Sequence, residues 1–130
     1  MTLADIKAEA RKAAFARRKA AHEGQSGDPA AQLKAVLDEH RGRPLSGYLP
    51  IRTEIDPRPA MAIAAAFGPV CVPVIQGKGL PLEFSRWTPQ GPLREGPFGA
   101  YVPDVDDWIV PEVLIVPLVA FDASGGRLGY

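Results

Sequence analysis

Hydrophobic and polar positions divide this chain into segments of differing period. From Thr2 to about His22, alanine-rich sequence with few β-branched residues predicts one long helix, with Thr2 as N-cap and Gly24 as stop. "SGDPAAQLKAVLDEHRG" predicts a second helix, in which Asp28 caps, Pro29 takes the first turn, Leu33, Val36 and Leu37 form the apolar stripe and Gly42 ends it. "PLSGYLPI" follows as a short strand with bulk at Leu45, Tyr48, Leu49 and Ile51. "TEIDPRPAMAIAAAFG" predicts a third helix, with Asp56 as cap, Pro57 at the first helical position and Gly68 as stop. "PVCVPVI" is a continuous apolar strand, "GKG" turns the chain, and "PLEFSRWTP" alternates as a half-exposed strand. The Gly- and Pro-rich "QGPLREGPFGAYVPDVDDWIVPE" predicts a loop wrapped over a sheet edge, and "EVLIVPLVAFD" a final strand. Strand, helix and strand with unbroken apolar runs predict an α/β fold whose mainly parallel sheet is covered on both faces.

Composition narrows the class. The 130 residues suit a single domain, 1–130, and 46% apolar content suits a packed core. Fifteen basic and fifteen acidic side chains cancel, so no global field recruits nucleic acid or an acidic membrane. The single Cys71 cannot form an intrachain disulfide and fits a reducing, cytoplasmic setting. No apolar run approaches the roughly 18 residues of a membrane span. The arginine-rich N-terminus mimics a transit peptide, but Asp5, Glu9 and Glu23 interrupt it, so it belongs to the fold. His22 and His40 are far apart and read as solvated helix residues, and no metal site is expected from them.

The candidate chemistry lies in three places. Lys7, Arg11 and Arg18 project from one side of the first helix, where they suit a polyphosphate or form an ordinary solvated face. Glu54 leaves the C-terminal end of a strand just before a helix, the edge at which open α/β sheets gather ligands. Its carboxylate can accept paired hydrogen bonds from an amino-heterocycle, or it can simply favour the helix dipole. "GGRLG", Gly125 to Gly129, reads as a plain turn or as a loop whose amides approach a phosphate, with Arg127 adding charge. Trp87, Phe98, Tyr101 and Trp108 can stack on a flat ring or pack internally. No Ser/His/Asp or Cys/His arrangement marks a covalent nucleophile.

Together, "KAEAR", "YLPIRTEID", "PFGAYVP" and "LIVPLVAFDASGGRLGY" resemble, in order, the signatures of the 5-formyltetrahydrofolate cyclo-ligase family. The family is also called 5,10-methenyltetrahydrofolate synthetase. The resemblance covers essentially the whole chain and is most specific at its end. It implies a three-layer Rossmann-like domain of the kind found in sugar-phosphate isomerases and CoA-transferases. It also implies that this sequence matches the front part of the family enzyme, stopping inside the nucleotide loop.

The family's reaction is an ATP-dependent cyclisation. ATP phosphorylates the formyl oxygen on N5 of 5-formyltetrahydrofolate, N10 of the same folate closes the ring, and methenyltetrahydrofolate, ADP and phosphate leave. The resemblance implies that Lys7 and Arg11 hold ATP phosphates, with Arg11 also near the folate. Arg127, Leu128, Gly129 and Tyr130 would begin the nucleotide loop. Leu49, Glu54 and Phe98 would line the folate pocket. Magnesium is expected with the nucleotide, although the family's metal-binding aspartate has no counterpart here. Two rival expectations remain: a truncated, non-catalytic folate- or nucleotide-binding protein, and a sugar-phosphate isomerase-like enzyme on the same fold.

Overall fold

A computed structural model describes residues 1–25 and 27–129, apart from the side chain of Phe98. Helix α1, Leu3–Glu23, begins at a capping box: Thr2 Oγ1 accepts the Asp5 amide at 3.1 Å, and the Asp5 carboxylate accepts the Thr2 amide at 3.0 Å. These bonds hold the Asp5 carboxyl below its usual range. Ala14 is buried, and Arg11, Phe15 and Arg18 are half-buried, so α1 meets the rest of the fold along one stripe. Its first turns, including Leu3 and Ile6, are exposed.

Helix α2 (Ala31–Asp38) precedes strand β1 (Leu45–Ser46), and helix α3 (Arg58–Ala65) leads to β2, Val70–Val74. The unit β1–α3–β2 is a parallel crossover, with Leu45 opposite Val70 and Ser46 opposite Cys71. Strand β3, Glu83–Arg86, returns antiparallel to β2, while β6, Val113–Leu114, adds parallel to β1. The sheet order is therefore β3-β2-β1-β6. A mixed α/β fold with a mainly parallel sheet agrees with the sequence pattern. Met61 of α3 packs with Leu45, Val70, Val72 and Trp87 to form the core, and Leu37 of α2 seals its side. Trp87 is thus a core residue.

Several expectations change in detail. Helix α2 starts later than its cap signal, because Asp28 accepts the Ala30 amide at 3.0 Å and closes a separate turn first. Val36 is exposed and leaves the predicted stripe to Leu33 and Leu37. Pro57 occupies the N-cap position of α3, and Asp56 accepts the Arg58 amide at 3.0 Å. Arg58 also clasps the Asp56 carboxylate and holds it below its usual range.

The final strand departs most. Instead of one run buried on both faces, the chain pairs at β6, keeps the Ile115 amide on Ser46, and separates through Val116–Leu118. It then folds back as a hairpin of β7 (Ala120–Phe121) and β8 (Arg127–Leu128). Pro117 has no amide for a ladder, β6 pairs with β1 on one side, and Leu114 and Val116 stay half exposed beside a cavity. The expected wrapped loop is partly ordered: β4 (Leu93–Glu95) and β5 (Tyr101–Pro103) pair around a 3-10 turn at Pro97–Gly99. Its continuation does cover an edge. Arg86 donates its amide to Asp107 at 2.8 Å, and Ile109 donates to Phe84 at 2.8 Å.

Candidate functional site

Strands β1, β2 and β6 all deliver their chains to one edge of the sheet, and the loop after β1 is built there by its own polar groups. Ile51 donates its amide to Glu54 Oε1 at 2.8 Å, while the Glu54 amide returns to the Ile51 carbonyl at 3.2 Å. Between them Arg52 adopts φ 57°, the left-handed conformation that the reversal demands. The Tyr48 hydroxyl donates to the Ile55 carbonyl at 2.6 Å and so closes the whole loop. Glu54 ends up 9% exposed, with one carboxylate oxygen committed to the loop.

Glu54 and Leu49 share an apolar cavity of about 370 Å3. Val72 and Phe84 of the sheet and Tyr101 of β5 complete the wall. Pro97 and Ala100 line it from the turn that carries Phe98, whose side chain lies outside the described residues. The cavity is wide and greasy enough for a fused heterocycle, with Glu54 as the acidic group at its rim.

Elsewhere, one contact links two of the phosphate candidates. Arg11 Nε donates to the Gly129 carbonyl at 3.1 Å, which ties α1 to the end of the glycine-rich segment across most of the sequence. Lys7 lies one turn earlier on the helix and is exposed. Arg127 is exposed on β8, Leu128 is half-buried, and Tyr130 lies outside the described residues. Arg18 leaves this group and donates from Nε to Thr53 Oγ1 at 2.8 Å, with its guanidinium 4.8 Å from the Phe15 ring.

The turn before Arg127 serves its own hairpin. Asp122 Oδ1 accepts the Ser124 amide at 2.9 Å, the Ser124 hydroxyl at 2.7 Å and the Gly126 amide at 2.8 Å, while the Gly125 amide goes to the Asp122 carbonyl. These bonds hold the Asp122 carboxyl below its usual range. Of the amides expected to cradle a phosphate, those of Gly125 and Gly126 are thus already engaged. Gly125 adopts φ 91°, as the turn requires. Among the described residues no three His, Cys, Asp or Glu side chains gather as a metal site. No helix among them is long and apolar enough to cross a membrane.

No family model matches the chain, and no curated protein does. Among solved structures, the NMR structure of Aquifex aeolicus 5,10-methenyltetrahydrofolate synthetase aligns with a TM-score of 0.70. The chain shares that enzyme's fold. The alignment spans 96% of this chain and 67% of the Aquifex synthetase, at 24% sequence identity. Likeness at this level establishes the architecture, and the chemistry rests on the site.

Sequence reasoning missed the role of Tyr48, which it placed in a strand as bulk. Burial and the nearby carboxylates of Glu54 and Asp56 push its phenol up to about 12. The folded state therefore holds this proton more tightly than the unfolded chain does. Its contribution is intact below pH 10.0 and is lost as pH rises toward about 12. Tyr48→Phe should cost about 1 kcal/mol through the lost hydrogen bond. It should also flatten the fall in melting temperature between about pH 10 and pH 12. Thermal melts at both pH values check this, and an unchanged slope would show that another group titrates there.

Proposed function

We propose that this chain carries the site of an ATP-dependent 5-formyltetrahydrofolate cyclo-ligase. The observation that carries the reading is the convergence of the folate candidates. Leu49 and Glu54, a half-buried leucine and a nearly buried carboxylate, line one apolar cavity at the ligand edge of the sheet. The contact between Arg11 and Gly129 and the fold shared with the Aquifex synthetase support it.

In this reading the flat pterin enters the apolar cavity. The free oxygen of Glu54 accepts from its amino group, and the Glu54 oxygen bonded to Ile51 keeps the loop in place. Lys7, Arg11 and Arg127 gather the ATP phosphates. The γ-phosphate passes to the formyl oxygen as its bond to the β-phosphate breaks and ADP leaves. N10 then attacks the formyl carbon and gives up its proton to solvent, and phosphate departs with that oxygen. The folate supplies the nucleophile, so the protein contributes position and charge, which suits a site without a triad. Magnesium would accompany the nucleotide phosphates. The described residues offer it no cluster of ligands, and no step here passes through it.

The engaged amides of the Asp122 turn favour one rival, a protein that binds these ligands without turnover. One assay separates the two. The chain should raise methenyl absorbance from 5-formyltetrahydrofolate when ATP and magnesium are present, and product formed without nucleotide would defeat the ligase reading. Arg11→Ala should weaken both substrates about tenfold, the effect of one charge-assisted hydrogen bond, while Lys7→Ala should act on ATP. Ligand binding with no methenyl product under any condition would favour the non-catalytic reading.

A further inference from the structure

Residues 48–55 carry the buried Glu54 in a backbone conformation that their sequence resists. Arg52, at φ 57°, is the non-glycine residue with positive φ among the described residues. A residue with a side chain disfavours that region, so the conformation lasts only where surrounding bonds over-determine it. Two of those bonds are internal to the loop, Ile51 to Glu54 and Tyr48 to Ile55. A third comes from outside. Arg18 of α1 donates from Nε to Thr53 Oγ1 at 2.8 Å, although the two are 35 residues apart in sequence.

Both ends of this contact are held. Arg18 and Thr53 are half-buried, and the Arg18 guanidinium lies 4.8 Å from the Phe15 ring of its own helix. Among the described residues no carboxylate lies within ion-pair distance of Arg18 to draw it away. The pair lines a second cavity, of about 630 Å3, that shares Tyr48 and Glu54 with the apolar one. Thr53 stands between the left-handed Arg52 and Glu54, so anchoring its side chain anchors the backbone on either side. Among the described residues it makes the one side-chain hydrogen bond that ties residues 48–55 to another element.

We propose that Thr53, clasped by Arg18, is a positioning residue for Glu54, so that helix α1 sets the direction in which the Glu54 carboxylate faces the apolar cavity. Its effect passes through the loop and needs no contact with a ligand. That the ligand is a folate rests on the function proposed above; the clasp rests on the bond and on the strained residue beside it. The same helix carries Lys7 and Arg11, so one rigid element places candidates for both ligands.

Loop geometry and ligand binding are read separately. Thr53→Val keeps the branched shape and removes the acceptor, whereas Thr53→Ser keeps the hydroxyl. Arg18→Met removes the donor and leaves an apolar stem over Phe15. The amide proton shift of Ile51, followed by NMR in the folded chain, reports its bond to Glu54, with the buried Val72 of β2 as reference. Thr53→Val and Arg18→Met should each move the Ile51 signal toward its unbonded position and leave Val72 in place, and the pair combined should move it no further. Thr53→Ser should keep the wild-type signal. Affinity falls with the fraction of chains that hold the loop closed, so Thr53→Val should bind 5-formyltetrahydrofolate about tenfold more weakly, the effect of one bond from a charged donor. ATP affinity should stay as it is, and Thr53→Ser should restore the folate affinity.

Circular dichroism reports folding, and Arg18→Met decides if Thr53→Val does not fold. Failure of both to fold would overturn the proposal, because a clasp confined to one loop does not hold up the core. An unmoved Ile51 signal in a folded variant would overturn it too, as would a moved signal with unchanged folate affinity. A wild-type chain that binds no 5-formyltetrahydrofolate, while Ile51 still responds to Thr53→Val, would remove the folate reading and leave the clasp standing.

Discussion

Met61→Ala should destabilise the fold by about 3 kcal/mol, the middle of the range for deleting a large buried side chain. Met61 is 0% exposed and sits among Leu45, Val70, Val72 and Trp87, residues that join the helical layer to the sheet. A methionine trimmed to a methyl leaves a void that these neighbours cannot fill, because all four are fixed in or beside strands. The consequence extends to the site. Gly47 opens the Glu54 loop directly against the Met61 side chain, so closely that a β-carbon at Gly47 would collide with it. Loosening Met61 therefore loosens the root of the loop. For a domain of this length the loss corresponds to roughly 10 °C in melting temperature. Denaturant and thermal unfolding measure it. A loss below about 1 kcal/mol would mean that the core is centred elsewhere or collapses readily.

Much of this was legible in the sequence where local rules and tertiary packing agree. The first helix announced both its ends, and Thr2 and Gly24 stand where the sequence put them. The β1–α3–β2 crossover followed from continuous apolar runs around a Pro-started, alanine-rich helix. Sequence reasoning failed where identical apolar residues serve different environments. "EVLIVPLVAFD" reads as a doubly buried strand, but Pro117 breaks its ladder and β6 has a single paired neighbour. "GGRLG" reads as a plain turn or as an anion loop, and Asp122 takes the Gly125 and Gly126 amides for its own turn.

The candidate residues stand out one by one in the sequence, but their arrangement does not. Glu54 and Leu49 stood out from strand-end position and family resemblance, and they do share a cavity. Tyr48 did not stand out, because its value lies in a hydroxyl that reaches a carbonyl seven residues on. No periodicity encodes that contact. Arg18 was grouped with Lys7 and Arg11 by helical spacing. The structure separates it, because the loop brings Thr53 within 2.8 Å and recruits Arg18 to another cavity.

Glu54→Gln should weaken 5-formyltetrahydrofolate by roughly a hundredfold while leaving ATP affinity and stability close to wild type. On the proposed folate reading two jobs meet in this side chain, and the substitution divides them. Oε1 accepts the Ile51 amide at 2.8 Å, and a glutamine carbonyl can keep that bond. The amide nitrogen must then take the place of the oxygen facing the cavity. There it offers protons to a heterocycle that also offers protons, so an acceptor is replaced by a donor and the lost bond becomes a clash. Rotating the amide does not help, since it would set the NH2 against the Ile51 amide and open the loop. A charge-assisted bond is worth about 1.5–3 kcal/mol, and an unmet donor in an apolar cavity adds to the loss, which together gives the hundredfold figure. Calorimetric titration of both ligands, beside a thermal melt, reads all three quantities. A selective loss of ATP affinity would place the nucleotide, rather than the pterin, in the apolar cavity. A large fall in melting temperature would mean that Glu54 serves the loop and not the ligand.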